Sequence, residues 1–190
     1  MRTIVLATAI AVWPIPFAVA GADAPLAVGP AALAAQLPPT ARAPLRDAEG
    51  DVVATAVLRE TPHGVLIRLR ATALPPGEHG YHIHETGRCE PPTFESAGGH
   101  YAPRGREHGF LNPRGPHAGD LPNLHVPADG ELAVEHLAGD VTLRAGETGT
   151  LFDDDGSALV IHARRDDYTS QPAGDSGERI ACGVVRRMAR

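Results

Sequence analysis

The sequence predicts an all-β protein, an antiparallel sandwich or barrel, and three observations support that reading. Short apolar stretches alternate with period two, as in Val65, Ile67 and Leu69 against Leu66, Arg68 and Arg70. Turn signals rich in Gly and Pro separate these stretches, at Thr61-Pro62-His63-Gly64 and again at Leu74-Pro75-Pro76-Gly77. No long helical period and no internal repeat interrupts the pattern.

Taken in order, residues 1–20 read as a secretory signal. Arg2 supplies the positive start, Thr3–Val12 is apolar, and Ala18-Val19-Ala20 makes a small-residue cleavage site before Gly21. Pro14 and Pro16 break the apolar run, so a spanning helix is not expected there. Residues 21–39 form an Ala/Pro-rich tether, with a short helical turn at most over Ala31–Leu37. The domain occupies residues 40–190. Val52–Leu58 and Val65–Leu69 are its first expected strands, with His63 an ordinary turn residue between them. A third strand carries His82 and His84. Glu131–His136, Asp140–Leu143, Ala158–His162 and Arg179–Val185 follow, the run Ala-Leu-Val-Ile-His being apolar enough for a strand buried on both faces. Asp153-Asp154-Asp155-Gly156 lacks the alternating oxygens and distal Glu of a calcium loop and reads as an acidic turn.

At 190 residues the chain fits one domain with an adequate core. All 17 basic residues are Arg, and the formal charge of −6 becomes −7 once Arg2 leaves with the signal. That excludes a nucleic-acid binder built on general basicity, and no membrane span remains after cleavage. Cys89 and Cys182 are the only cysteines, an even count that in an exported chain suggests one disulfide. Neither composition nor motif separates a monomer from a homodimer.

Five of the ten histidines fall within Gly80–Asp120. His82 and His84 are two apart, so on a strand both imidazoles face one side and can reach one metal. His100, His108, His117 and Asp120 lie in a stretch broken by Gly and Pro, which reads as a loop. Three imidazoles and a carboxylate make the closed set that a tetrahedral zinc ion takes. The two strand histidines need further donors from elsewhere to complete a copper site.

The segments Gly-Tyr-His-Ile-His-Glu, Gly-Gly-His-Tyr-Ala-Pro, Gly-Asp-Leu-Pro-Asn-Leu and Arg-Ile-Ala-Cys-Gly-Val resemble, in the same order, copper–zinc superoxide dismutase. The likeness spans roughly residues 40–187, and the run at 168–177 resembles the bacterial secreted branch, which implies a periplasmic or secreted protein. It implies a Greek-key, immunoglobulin-like sandwich, for which this enzyme is itself a standard example, with long metal-binding and electrostatic loops. It implies superoxide as substrate and disproportionation to oxygen and hydrogen peroxide, with one redox-cycling copper and one structural zinc per chain. Copper falls to His82, His84, His100 and His162, and zinc to His100, His108, His117 and Asp120. His100 then bridges the metals and carries a proton between half-reactions. The resemblance also implies a Cys89–Cys182 disulfide bracing the active-site loop. Asp166, with Asp167 the adjacent alternative, matches the carboxylate that joins His82 to His108, and Arg179 matches the guiding arginine above copper. Pro172 stands where eukaryotic members carry a steering lysine, leaving Arg88, Arg164 and Arg165 as candidates for that role or as plain surface charges. His79 is expected to bond backbone, and His125 and His136 to be solvated or in turns. The competing function is a module that stores or passes copper and zinc without turnover; the complete ligand set and Arg179 favour the enzyme.

Overall fold

A computed structural model describes residues 38–189; the expected signal, nearly all of the tether and Arg190 lie outside the described residues. Strands β1 (Thr40–Arg46), β2 (Val52–Thr61) and β3 (Gly64–Ala71) form a meander in which each partner is antiparallel. Their inward positions read Ala41, Ala43, Leu45, then Ala54, Ala56, Leu58, then Val65, Ile67, Leu69, all buried in one core. The β2–β3 turn closes tightly because Thr61 Oγ1 donates to Gly64 O at 2.7 Å and accepts the His63 N–H at 3.1 Å. Gly64 has φ 115°, and a side chain there would run into the Ala138 carbonyl, so only glycine serves.

The remaining strands are β4 (Gly77–His79), β5 (Tyr81–His84), β6 (Leu124–Val126), β7 (Leu132–Ala138), β8 (Ala158–His162), β9 (Arg179–Val184) and β10 (Arg186–Arg187). One sheet runs β5-β8-β9-β1-β2-β3-β7, with β10 pairing β1, while β4 and β6 form a separate antiparallel pair. The jump from β3 to β7 across the sheet, and from β5 to β8, gives crossing connections between antiparallel neighbours. The expected all-β Greek-key architecture is therefore what forms, as a sheet curled around its core.

Strands β5 and β8 are buried along their whole length. Period two sends Tyr81, Ile83, Leu159 and Ile161 into the main core. The other faces carry His82, His84 and His162, with Ala158 and Val160 packed against Phe94, Ala97 and Cys182 of a second, smaller cluster. Long loops roof that second face. The Cys89–Cys182 disulfide forms as expected, with Cα atoms 5.6 Å apart, and ties the roof to β9. Closing a 93-residue separation stabilises the fold by roughly 4–5 kcal/mol on the chain-entropy view.

Asp140–Leu143 is not a strand. The Glu60 carboxylate, buried at the end of β2, accepts the Leu143 N–H at 2.6 Å and the Thr142 hydroxyl at 3.0 Å. Thr142 keeps only an isolated bridge to Thr150, so the donors of this segment serve a side chain and not a ladder. His136 is also not a turn residue: it lies within β7, half-buried, with its ring 6.1 Å from that of Tyr81.

Candidate metal centre

His82 and His84 on β5 face His162 on β8 because Tyr81 pairs with Ile161 and His84 with Ala158 in a continuous antiparallel ladder. His100 joins them through an isolated bridge to His84. Ring-nitrogen partners fix which atom each imidazole presents. His84 Nδ1 lies 3.0 Å from Gly98 O and His162 Nδ1 lies 3.2 Å from Gly177 O, leaving both Nε2 atoms facing each other at 3.4 Å. His82 Nε2 lies 2.8 Å from Asp166 Oδ2, which frees Nδ1. His100 Nδ1 lies 2.9 Å from Asp120 Oδ1, which frees Nε2. One nitrogen from each of these four side chains falls within 4.8 Å of every other.

The second cluster converges on a single oxygen. Asp120 Oδ1 has His100 Nδ1 at 2.9 Å, His108 Nδ1 at 3.1 Å and His117 Nδ1 at 3.3 Å. Donors around a tetrahedral zinc at its usual bond lengths stand roughly 3.3 Å apart, close to these separations. Asp120 Oδ2 accepts the backbone N–H groups of Gly109 at 2.9 Å and His117 at 3.0 Å, so the carboxylate cannot rotate away. His82 Nδ1 and His100 Nε2 are buried with no hydrogen-bond partner in the protein, and His117 Nδ1, though 3.3 Å from Asp120 Oδ1, makes no aligned hydrogen bond. Buried polar atoms are rarely orphaned, and these three point into the two clusters. The donor sets thus fit copper and zinc, with His100 offering one nitrogen to each.

Asp166 is the carboxylate that links the clusters, and not Asp167. Its Oδ2 meets His82 Nε2 and its Oδ1 lies 3.0 Å from His108 Nε2. Asp167 is half-buried and accepts the N–H groups of Thr169 and Ser170. Several residues that sequence reasoning missed hold this frame. Asn123 Oδ1 accepts the Asp166 N–H and its Nδ2 donates to Asp166 O, both at 2.8 Å. Gln171 clamps the His108 backbone, its Oε1 accepting from N at 3.0 Å and its Nε2 donating to O at 2.9 Å. Gly174, with φ 65°, leaves room where a side chain would collide with Asp166 and crowd His108. Gln171 and Gly174 fall in the family-like run 168–177, which is the only signal that could have found them.

Burial, and then the neighbouring His82, lower His100 and His162 to about 3. Burial also depresses His82, and His84 further still. These rings therefore offer lone pairs at neutral pH. Burial pushes Asp120 up, but the three imidazoles and the Gly109 amide outweigh it and hold it well below the usual carboxylate range. Asp166 follows the same pattern through His108 and His82.

Arg179 on β9 is half-buried beside the cluster of His82, His84, His100 and His162. Its Nη1 donates to Phe94 O and its Nη2 to Gly98 O, each at 2.7 Å. Gly98 O is also the partner of His84 Nδ1, so one carbonyl orients a donor imidazole and the guanidinium together. The other candidate arginines are exposed and lie near acids: Arg164 with Asp175 at 2.7 Å, Arg88 with Glu90 at 3.8 Å and Arg165 with Glu78 at 4.0 Å. His79 bonds backbone as expected, to His162 O and Pro75 O, both at 2.8 Å. His125 is exposed and pairs with Glu78.

Paired four-donor clusters sharing one imidazole on an antiparallel β scaffold define a binuclear metalloprotein. Residues 49–185 match the family described as copper/zinc superoxide dismutase, and the chain belongs to that family. It is 54% identical over 147 residues to superoxide dismutase [Cu-Zn] 2 of Aquifex aeolicus, covering 77% of this chain and 86% of that one. It is 48% identical over 139 residues to the superoxide dismutase-like protein YojM of Bacillus subtilis, covering 72% of this chain and 71% of that one. Among solved structures, the SOD-like protein of Bacillus subtilis superposes with TM-score 0.72 at 44% identity, covering 75% of this chain and 96% of that one. Cu/Zn superoxide dismutase of Brucella abortus gives 0.62 at 31%, covering 77% and 99%.

Proposed function

We propose that this protein disproportionates superoxide with copper held by His82, His84, His100 and His162 and zinc held by His100, His108, His117 and Asp120. The observation that carries this reading is the pair of clusters meeting at His100, whose two ring nitrogens point into different clusters. When bound, copper supplies the one-electron exchange that oxidises one superoxide and reduces the next, and zinc supplies a fixed charge.

The chain's own residues do the rest. Four imidazoles kept neutral by burial give copper nitrogen donors without charge competition. His100 Nε2, the atom that faces the copper cluster, is where a proton can be held and returned between half-reactions. Asp166 accepts from His82 and His108, fixing both tautomers and coupling the two sites. Arg179, always charged, offers donors to an anion at the copper face. Superoxide dismutase is itself a standard example of electrostatic steering; here Arg179 is the cation nearest the cluster, since Arg164, Arg165 and Arg88 lie outside it beside acids.

Residues 1–20 serve as an export signal in this reading and residues 21–39 as a tether. Placement in the periplasm or outside the cell is supported by the disulfide, which persists in oxidising compartments. Among the described residues no helix is long and apolar enough to cross a membrane.

The test is metal content and superoxide dismutation of the protein beside a His162→Ala variant. One copper and one zinc per chain, with activity and copper lost in the variant while zinc stays, is the expected result. Both metals bound with no turnover would assign the chain to metal storage or transfer.

A further inference from the structure

The outer face of the sheet opposite the core carries a charge pattern unlike the rest of the molecule. Outward positions on β10, β1, β2 and β3 hold Arg186, Arg42, Arg46, Arg59, Arg68 and Arg70, all exposed. On the same face β7 adds one carboxylate, Glu135, paired with Arg68. Six arginines against one acid make this face strongly positive in a chain whose formal charge is −6. The register sets Arg186 directly opposite Arg42, and Val57 lies between Arg42 and Arg68 in the same row.

The fold does not ask for this. Like charges directly opposite each other weaken a sheet. Protection of an edge does not explain them either, since β1, β2 and β3 all have neighbours on both sides. Solubility is already served by the acidic loops. An anionic partner would recover the cost.

We infer that this face docks the protein onto an anionic phospholipid surface. Strand and residue spacings spread the arginines over roughly 14 Å across and 20 Å along the strands, a two-dimensional field that suits a plane of headgroups better than a single file of charges. Guanidinium forks match phosphate geometry and hold their charge at any pH. Exposed Val57 and Leu137 lie among them and offer apolar contact at the interface. The proposed copper donors ride on β5 and β8, separated from β1 by β9 and roofed by loops, so the arginines and the metal donors occupy different strands.

The experiment is cosedimentation of the full chain with phosphatidylcholine vesicles, with and without phosphatidylglycerol, at low and high salt. Arg42→Gln/Arg68→Gln/Arg186→Gln is compared with the parent; residues 1–37 are common to both and cannot produce a difference. Binding is expected only to the anionic vesicles, to weaken with salt, and to fall roughly 100-fold in the triple variant. Dismutation should stay unchanged, and melting temperature should hold or rise as the Arg42–Arg186 repulsion is removed. Single Arg42→Gln and Arg68→Gln variants, each expected to lose about fivefold, carry the test should the triple variant not fold. Equal binding to both vesicle types, or undiminished binding by the variants, would overturn the inference. So would tighter salt-sensitive binding to heparin or to duplex DNA than to the vesicles.

Discussion

The two donor clusters share His100 but are built from different material. Three of the proposed copper donors, His82, His84 and His162, ride on strands whose partners are fixed residue by residue. The zinc cluster has its ends tied to β5 by isolated bridges, His84 to His100 and His82 to Asp120, yet His108 and His117 hang in the stretch between. That stretch has no ladder. It is held by the Asp120 carboxylate, by Asp166 and by the Gln171 clamp. The copper donors thus inherit their spacing from the sheet, whereas the zinc donors depend on a few polar contacts and on the metal itself. Coupling of metal binding to local folding should accordingly be strong on the zinc side and weak on the copper side.

The largest expected effect separates chemistry from architecture. His162→Ala removes a copper donor from a fully buried strand position without touching the zinc side. Dismutation should fall by more than about a thousandfold, which corresponds to roughly 4 kcal/mol of lost transition-state stabilisation. Zinc content should hold, and thermal unfolding should show the sheet intact. If zinc is lost as well, the two clusters are not separable as their scaffolds suggest.

Asp120→Ala should do the reverse. It deletes the oxygen on which three imidazoles converge and frees the Gly109 and His117 amides. Removing one partner of a buried charged network costs about 3–5 kcal/mol. Zinc should be lost, and hydrogen exchange should speed up through residues 104–117 while β5 and β8 stay protected. Uniform loss of protection across the sheet would mean that the zinc loop is part of the main cooperative unit.

The same contrast explains what the sequence made legible. Donor residues on strands announce themselves by period two, and the loop donors by their density, so the His82/His84 pair and the zinc set could be read from residue type and spacing, with His162 and the sharing of His100 supplied by resemblance. Elements without a period could not be read that way. Strand β1 carries Pro44 and small alanines, which blur its alternation. Pro44 is tolerated because along that side β10 pairs only with Ala41 and Arg42, and β9 only with Arg46. β4 and β6 are three residues each, too short for any pattern. Asp140–Leu143 looked like a strand because nothing local reveals that Glu60, some eighty residues earlier, takes its donors. His136 sits on the inward phase with Leu132 and Val134, a phase that the sequence did contain. Net charge likewise concealed the arginine face, because a sum over the chain carries no information about where the charges fold to.

Asp166 lies between the two materials and tests whether they communicate. Its two oxygens hold His82 on the strand and His108 on the loop, and Asn123 fixes its backbone on both sides. Asp166→Asn keeps the shape and loses the charge. Affinity for both metals should drop about 10–100-fold, with zinc the more affected because His108 has no ladder to hold it. Equal losses at both sites would show that the carboxylate positions both histidines alike and that the β5 ladder adds nothing for His82.

The smallest effect is expected at Arg179, which touches neither scaffold's donors directly. Its guanidinium is held by Phe94 O and Gly98 O, in the roof that Cys89–Cys182 ties to β9. Arg179→Gln removes the charge and leaves a neutral donor. The value of kcat/KM should fall about tenfold, the scale of one charge-assisted hydrogen bond, and its dependence on ionic strength should flatten. Arg179→Lys keeps the charge but cannot span two carbonyls with a planar fork. It should therefore recover the salt dependence but not the full rate. A lysine variant indistinguishable from the parent in both would show that charge alone matters at this position, and that the shared Gly98 carbonyl orients His84 without help from the guanidinium.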